Sequence, residues 1–451
     1  MRMAAADSFN MPGFGSESPI GLAALRIAVA VGVLISGELW QAARWAQLPA
    51  ALRIAPEGLG WALGVVPIDV ALARVAQLML GAAALAALVG VGGRLAMCVV
   101  TVAGLYVFGL AELSGAVIHN MHLLWFAALL SVSPCADAWA LRWPSGARHS
   151  AVPQRALAYG VPLQFARVLL GCVYFFPGFW KLATSGWAWV ASDNLRNQLY
   201  WKWYELGAVP GLRVDRWPWL LNAAALGVVL FELGFIALIW TRTGRLWAAL
   251  LGTLFHLSVL FLMGVSFVSL LLCYVVLIDW DGLTRARRPA EPAADSGVPI
   301  RHSWVAAAVV GALLSVAAIV QGARHAVDAW PFGCYPTFDR VVGEEIFDLR
   351  IEIVNRADVA EAVPDGPSTH GAPRTPQDWA RAWQLAGLYG QPASPERLRA
   401  YFQQLARDPM VAAQARAGRS LRFYVAAYSV VPERWGEPPL RKRLLSEMRV
   451  P

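Results

Sequence analysis

Long apolar runs separated by short polar connections dominate the chain from Ile20 to Gly322. A helix that crosses a bilayer needs about 20 largely apolar residues. The runs that meet or approach this length are Ile20–Leu39, Val66–Val91, Leu95–Leu113, Met121–Ser133, Val161–Trp180, Trp219–Trp240, Leu246–Met263, Phe267–Ile278 and Trp304–Val320. The fourth is short, and only Gly264 and its neighbours divide the run from Leu246 to Trp280. The pattern therefore predicts eight or nine transmembrane helices.

The pattern changes after Arg324, where polar residues, Pro and Gly become frequent. Alternation of apolar and polar residues predicts strands at Glu345–Val354 and Leu421–Val431. Helices are predicted at Gln377–Leu388, Pro395–Arg407 and Leu440–Met448. We therefore expect an α-helical polytopic membrane protein with a small C-terminal α+β extramembrane domain. Its predicted parts are a cytoplasmic tail (residues 1–19), a transmembrane domain (20–322) and an external domain (323–451).

Composition and charge agree with this class. Of 451 residues, 57% are hydrophobic and 15% charged, which argues against an ordinary soluble domain. A net charge of +8 would suit nucleic acid, but the arginines cluster at the ends of apolar runs, where the positive-inside rule predicts them. The resulting prediction is a multi-pass inner-membrane protein whose partner is the lipid bilayer, with no nucleic acid and with a cytoplasmic N-terminus. The loops assigned to the cytoplasm carry Arg94, Arg142, Arg148, Arg155, Arg242, Arg245, Arg285, Arg287, Arg288 and Arg301.

This topology brings His119, His122 and Lys181 toward the outer face. The two histidines open the fourth apolar run, and their spacing puts both rings on one side of a helix. Two imidazoles are too few for a metal site without further ligands, and none is visible nearby, so no metal is predicted. Hydrated rings at the membrane surface are the simpler interpretation.

Lys181 follows an aromatic stretch at the end of the fifth apolar run, with Pro177 and Gly178 expected to break the helix. A desolvated lysine favours its neutral amine, which can act as a general base. A lysine whose ammonium reaches the headgroups is an equally good interpretation. The tryptophans beside it predict an interfacial belt, or the wall of an apolar pocket. They include Trp180, Trp187 and Trp189.

Other charged or titratable side chains fall within apolar runs, where they should face one another or a cavity. Arg167 and Glu232 occupy comparable depths in consecutive runs, so we expect them to form an ion pair. His256 lies near the middle of the seventh run and is expected either to satisfy a buried acceptor or to belong to a proton path.

The order of short motifs resembles the HTTM (horizontally transferred transmembrane) domain, which vitamin K-dependent gamma-carboxylases share with many bacterial membrane proteins. The similarity covers roughly Ile20 to Trp280. The motifs are Ile118-His-Asn-Met-His-Leu-Leu, Ser133-Pro-Cys-Ala-Asp-Ala-Trp, Val173-Tyr-Phe-Phe-Pro-Gly-Phe-Trp-Lys-Leu with Gly186-Trp, Phe231-Glu-Leu, Phe255-His-Leu and Ile278-Asp-Trp. Each motif is loose, and their order and spacing carry the resemblance.

The resemblance implies that Lys181 deprotonates reduced vitamin K, a menaquinol-like quinol, and that His122 supports a reaction with dioxygen and carbon dioxide. Trp180 replaces one of two lysines found in the carboxylase, and the predicted external domain is much smaller. We therefore expect a carboxylase-like, quinol-dependent enzyme whose quinone pocket includes His119 and the three tryptophans. The alternative is a non-catalytic scaffold or export partner whose external domain binds a peptide or protein.

Overall fold

The computed structural model describes residues 14–48, 50, 53–115, 117, 119–141, 155–285, 303–354, 360–362, 396, 399–400, 403 and 420–449. The predicted helices at Gln377–Leu388 and Pro395–Arg407 lie outside these residues, apart from four isolated positions. Helices predominate in the remainder, and a small sheet lies near the C-terminus.

The long helices begin and end close to the predicted apolar runs, and several shorter helices lie between them. In chain order, the helices are α1 Pro19–Ile35, α2 Gly37–Ala46, α3 Val70–Val89, α4 Gly93–Glu112, α5 Met121–Ser131, α6 Leu157–Ser185, α7 Ala188–Ala191, α8 Asn194–Leu206, α9 Pro218–Leu238, α10 Arg242–Met263, α11 Val268–Leu272, α12 Trp280–Arg285 and α13 Ser303–Ala323.

Six of these helices, α3, α4, α6, α9, α10 and α13, are long and apolar enough to cross a membrane. Helices α1 and α2 meet at a 43° bend and make a seventh span if they are counted together. The predicted total of eight or nine is therefore not confirmed among the described residues. Helix α5 has 11 residues and α11 has 5, so the two ambiguous runs give helices too short to span alone. Large apolar side chains exposed on the long helices, as lipid contact requires, include Leu78, Leu230, Phe261 and Leu313.

Helix α6 lies at the centre of the bundle, packed against α9, α13 and α5. It continues through both Pro162 and Pro177, so the break expected near Lys181 is wrong. Proline removes one backbone hydrogen bond, but neighbouring helices can hold such a segment straight inside a membrane protein. Glycine allows the close approach to α9: a Cβ on Gly178 would lie 2.7 Å from the Glu232 Cβ.

The sheet has four antiparallel strands in the order β2-β1-β3-β4. Strands β1 (Glu345–Val354) and β3 (Ser420–Ser429) confirm the two predicted strands, and β2 spans Ala360–Ala362. The predicted helix at Leu440–Met448 is wrong, because Arg441–Arg449 forms β4 along β3. Its Leu, Lys, Glu and Met residues favour a helix, but pairing with a neighbouring strand overrides that weak local preference.

One face of the sheet rests on α8. Ile346 of β1 and Tyr428 of β3 join a buried apolar cluster with Trp203 and Tyr204 of α8. Beside it, Arg213 donates hydrogen bonds to Asp215, at 2.8 and 2.7 Å, and to Glu433 beyond β3 at 2.9 Å. The aromatic segment after Lys181 therefore supports the sheet as well as covering the helices.

Candidate functional site

Lys181 forms a buried ion pair with Glu232. The ammonium nitrogen lies 2.8 Å from each carboxylate oxygen, and both residues are 4% exposed. Glu232 is well inside α9 rather than near its beginning, so the pair lies among apolar side chains. Lys181 is also 5.3 Å from the centre of the Trp189 ring. Both charges of the ion pair are therefore shielded from water.

The expected pair of Arg167 with Glu232 is wrong. Arg167 instead binds both carboxylate oxygens of Glu17, at 2.6 and 3.0 Å, and donates to the Val276 carbonyl at 2.7 Å. Comparable depth in consecutive helices did not identify the partner, because Glu17 precedes α1 and reaches α6 from outside the apolar runs. A backbone bridge between Glu17 and Ala156 fixes this segment beside the beginning of α6.

A second buried polar group lies along α6, less than two turns before Lys181. The Tyr174 hydroxyl is 2.6 Å from His256 Nε2 and is also hydrogen-bonded to the Tyr274 hydroxyl. Phe231 and Phe235 pack against the Tyr174 ring. The sequence singled out His256, but neither tyrosine, because tyrosines in apolar helices carry no spacing signal. The three polar groups are hydrogen-bonded to one another inside an aromatic shell.

His122 is fully buried, and His119 is half-buried with its Nε2 atom shielded from solvent, so the two rings are not freely hydrated. His122 Nδ1 lies 3.1 Å from the His119 carbonyl oxygen, and the His119 ring contacts Phe267 and Tyr335. Desolvation, with a smaller contribution from the positive charge of Lys202, lowers the pKa of His119 to about 4. The ring is therefore neutral at physiological pH, which is the form able to accept a proton or a hydrogen bond.

Two acidic residues near these histidines were missed by sequence reasoning. Glu38 accepts a hydrogen bond from Asn120 at 2.8 Å, and Asn120 in turn accepts one from Ser269 at 2.5 Å. Glu112, 2% exposed, is close enough to Tyr335 to interact with it electrostatically. Burial, reinforced by Glu112, raises the pKa of the Tyr335 hydroxyl well above its usual range. Both carboxyls lie at helix ends, where charged residues are common and attract no attention in a sequence.

The three predicted pocket tryptophans separate in the structure. Trp180 donates to the Gly322 carbonyl at 2.7 Å and stacks on His325, with ring centres 4.2 Å apart. Trp189 is buried beside Lys181, whereas Trp187 is 62% exposed. Trp189 therefore borders the ion pair, Trp180 anchors the end of α13, and Trp187 belongs to the surface.

Residues 330–343, here named the cover segment, cross the ends of several helices above this site. Tyr335 and Phe338 have positive φ angles of 52° and 59°, a conformation that bulky residues adopt only when their surroundings enforce it. Indole and hydroxyl donors from the helices bind its carbonyl groups: Trp125 binds Pro331, Trp189 binds Phe338, Ser185 binds Asp339 and Trp201 binds Gly343. The helices thus dictate the path of the cover segment.

The buried groups form a connected set. Phe231, the neighbour of Glu232 in α9, packs against the Tyr174 ring, and Phe267 contacts the rings of both His256 and His119, whose carbonyl is hydrogen-bonded to His122. Lys181 and His122, which lie on different helices, are thereby linked through one buried group whose polar members can each carry a proton. Among the described residues, no three His, Cys, Asp or Glu side chains are grouped so that they could hold a metal ion.

Comparison of the chain with protein-family models, with curated proteins and with solved structures finds no match.

Proposed function

We propose that this protein is a quinol-dependent membrane enzyme in which the Lys181–Glu232 pair accepts a proton from a hydroquinone hydroxyl. The observation that carries the proposal is the pair itself. Ionisable residues inside a membrane domain are costly and serve mostly in function. Replacing a buried ion pair with apolar residues is often neutral or stabilising. Stability alone therefore does not explain why a lysine and a glutamate occupy these two positions.

The pair has the charge and geometry that proton abstraction requires. With Lys181 protonated and Glu232 ionised, the pair carries no net charge. A proton taken from the hydroquinone gives the pair a charge of +1 and leaves a hydroquinone anion. The attraction between these charges is strong in an apolar site and favours the transfer.

The roles of the other residues follow the resemblance to the carboxylase. His122 is fully buried, and its neutral ring supports the reacting centre. Trp189 borders Lys181 and forms the apolar wall against which a flat quinol ring packs. With dioxygen as oxidant, the balanced reaction converts one hydroquinone and one dioxygen into one quinone epoxide and one water. Carbon dioxide is a further substrate if the reaction proceeds to carboxylation.

The test measures oxidation of a reduced naphthoquinone by purified protein in lipid nanodiscs. Lys181→Met should lower the rate by about a hundredfold, the typical contribution of a general base. Lys442→Met is the matched control, because Lys442 lies in β4 and should retain the wild-type rate per folded molecule. Lys181→Met with Glu232→Gln removes both buried charges, so this variant should remain folded and should also be inactive. A Lys181→Met protein that oxidises the quinol at the wild-type rate contradicts the proposal.

The proposal includes an orientation in the inner membrane, with the N-terminus in the cytoplasm and the sheet outside. The arginine-rich loops support it through the positive-inside rule. Single cysteines introduced at exposed Glu437 of the β3–β4 connection and at exposed Arg242, in a protein lacking its own cysteines, should separate the two sides. A membrane-impermeant thiol reagent applied to intact cells should label position 437 alone, and labelling of position 242 would refute this orientation.

A second function, binding of an external peptide or protein, is favoured by the edge of the sheet. Strand β4 pairs with β3 on one side, and no described residue pairs with its other side. Such an edge offers backbone groups to an extended peptide. Cross-linking in the membrane distinguishes the two functions. A scaffold should keep its partner when Lys181 and His122 are both replaced, and loss of the partner in that variant would exclude a purely structural role.

A further inference from the structure

The Tyr174–His256–Tyr274 group has no role in the function proposed above. All three residues are buried, and Phe255 and Phe267 pack against the His256 ring. Phenylalanine at each position would pack in such surroundings without needing a hydrogen-bond partner. A buried polar network is favourable only when its members are satisfied, and it is otherwise a cost. The presence of three polar groups therefore calls for an explanation other than packing.

The hydrogen bonds permit more than one arrangement of protons in this group, and one of them leaves a donor that faces out of it. With the Tyr274 hydroxyl donating to Tyr174, the Tyr174 hydroxyl donates to His256 Nε2. A neutral His256 then carries its proton on Nδ1. That Nδ1 is buried and has no hydrogen-bond partner among the described residues. The ring therefore presents an unsatisfied donor to the interior of the bundle.

His122 presents the complementary atom. Its Nδ1 donates to the His119 carbonyl, so the neutral ring keeps a lone pair on Nε2. This nitrogen is also buried and has no hydrogen-bond partner within the described ranges. The His256 and His119 rings both contact Phe267, with ring centres 4.9 and 5.4 Å from it, and His122 is hydrogen-bonded to His119, so His256 and His122 belong to one buried group. One ring thus has a donor without an acceptor, and its neighbour has an acceptor without a donor.

We infer that Tyr174 and His256 form a proton route that links the Lys181–Glu232 pair to His122. This inference rests on the proposed function, because the pair must first receive a proton. Glu232 passes a proton to the Tyr174 oxygen, and the original hydroxyl proton moves to His256 Nε2. The Nδ1 proton of His256 then moves to His122 Nε2. Tyr174 and His256 each gain one proton and release one, and His122 releases the proton that it receives to the oxygen atom that leaves as water in the reaction proposed above. No electron is transferred along the route, and no co-reactant is needed beyond the dioxygen of that reaction.

The steps at the two ends of the route are not direct hydrogen bonds. Phe231, the neighbour of Glu232 in α9, packs against the Tyr174 ring, but within the described residues Glu232 is hydrogen-bonded to Lys181 and not to Tyr174, and His256 Nδ1 is not hydrogen-bonded to His122. Each end therefore needs a bridging water or a side-chain rotation, either of which is compatible with proton transfer. The route returns the Lys181–Glu232 pair to its starting charge after each turnover without opening the site to solvent.

The two tyrosines provide a matched test. Tyr174→Phe removes the hydroxyl that carries the proton from Glu232 to His256. Tyr274→Phe removes a hydroxyl that only donates a hydrogen bond to Tyr174. A purely structural network would respond similarly to the loss of either hydroxyl. We expect Tyr174→Phe to lower kcat for quinol oxidation by about tenfold or more, with KM unchanged and with an altered solvent isotope effect. Tyr274→Phe should remain within about twofold of the wild type, by the same reasoning.

A third variant makes the test independent of the tyrosines. His256→Gly should lose activity and regain part of it when imidazole is added, because free imidazole can carry the proton. If the wild type is active and Tyr174→Phe is unaffected, the route is overturned and the proposed function stands. The same holds if both tyrosine variants lose activity equally. A wild type that does not oxidise quinols overturns both. Thermal melting of each variant in nanodiscs separates loss of folding from loss of proton transfer.

Discussion

Breaking the Lys181–Glu232 pair should destabilise the protein by an amount that the structure allows to be calculated. At 2.8 Å, opposite unit charges attract by about 6 kcal/mol with an effective dielectric constant near 20. If Glu232 is left alone, it must take up a proton to stay in apolar surroundings, which costs about 4 kcal/mol at pH 7. A lone Lys181 must lose one, at a cost of about 5 kcal/mol. These values agree with the roughly 3–5 kcal/mol lost when buried pairs are broken.

The assay is a double-mutant cycle with Lys181→Met and Glu232→Gln, unfolded by SDS in mixed micelles and followed by tryptophan fluorescence. Each single variant should lose about 3–5 kcal/mol, whereas the neutral double variant should lose much less than the sum of the two. The exposed pair of Arg434 and Glu437 is the matched control, because such surface pairs contribute less than about 1 kcal/mol.

The single variants should also respond to pH in opposite directions. With Lys181→Met, the folded state holds a proton on Glu232 that the unfolded chain releases, so stability should rise as pH falls toward 4. With Glu232→Gln, the unfolded chain holds the lysine proton that the folded state releases, so stability should rise with pH. Additive losses, or single variants within about 1 kcal/mol of the wild type, would refute the reasoning about a desolvated pair.

Three further outcomes are expected. Arg167→Met should cost about 3–5 kcal/mol in the same unfolding assay, since it leaves Glu17 unpaired, and adding Glu17→Gln should restore part of the loss. Gly160→Ala should prevent the N-terminal segment from docking, because its Cβ would overlap the Gly15 carbonyl oxygen; faster proteolysis before α1 would show this. Burial opposes ionisation of Glu352, but hydrogen bonds from Lys442 and Arg350 outweigh it and lower the pKa of that carboxyl. Its stabilisation is therefore present above its unfolded pKa and is lost as pH falls through the folded value. Glu352→Gln should flatten that acid dependence and cost about 2 kcal/mol at neutral pH.

The sequence predicted the elements that have a long apolar run or a clear alternation of apolar and polar residues. It missed the elements that depend on partners distant along the chain. Apolar length alone identified α3, α9 and α10, and alternation identified β1 and β3. Strand β4 was missed because its residues favour a helix until β3 lies beside them. The predicted count of eight or nine spans is not confirmed among the described residues, since the two runs that the sequence left ambiguous form α5 and α11, which are too short to span the membrane alone.

The same limit applies to the candidate site. Lys181, Glu232, His122 and His256 stood out because charged or polar groups are rare in apolar runs. Their pairing did not follow from depth, because α6 and α9 approach each other at Gly178 and so place Glu232 beside Lys181. Tyr174 was missed because its importance comes from two bonds made by residues about 80 and 100 positions away along the chain.

The cover segment gives the protein a mechanical property. Indole N–H groups of Trp125, Trp189 and Trp201 donate hydrogen bonds to carbonyls along the cover segment. Strand β1 begins only two residues after the cover segment ends. A force applied to the sheet is therefore transmitted to the helices without a flexible joint in between. Trp189 receives that force and contacts Lys181 directly, so a load on the sheet reaches the buried ion pair through a single side chain.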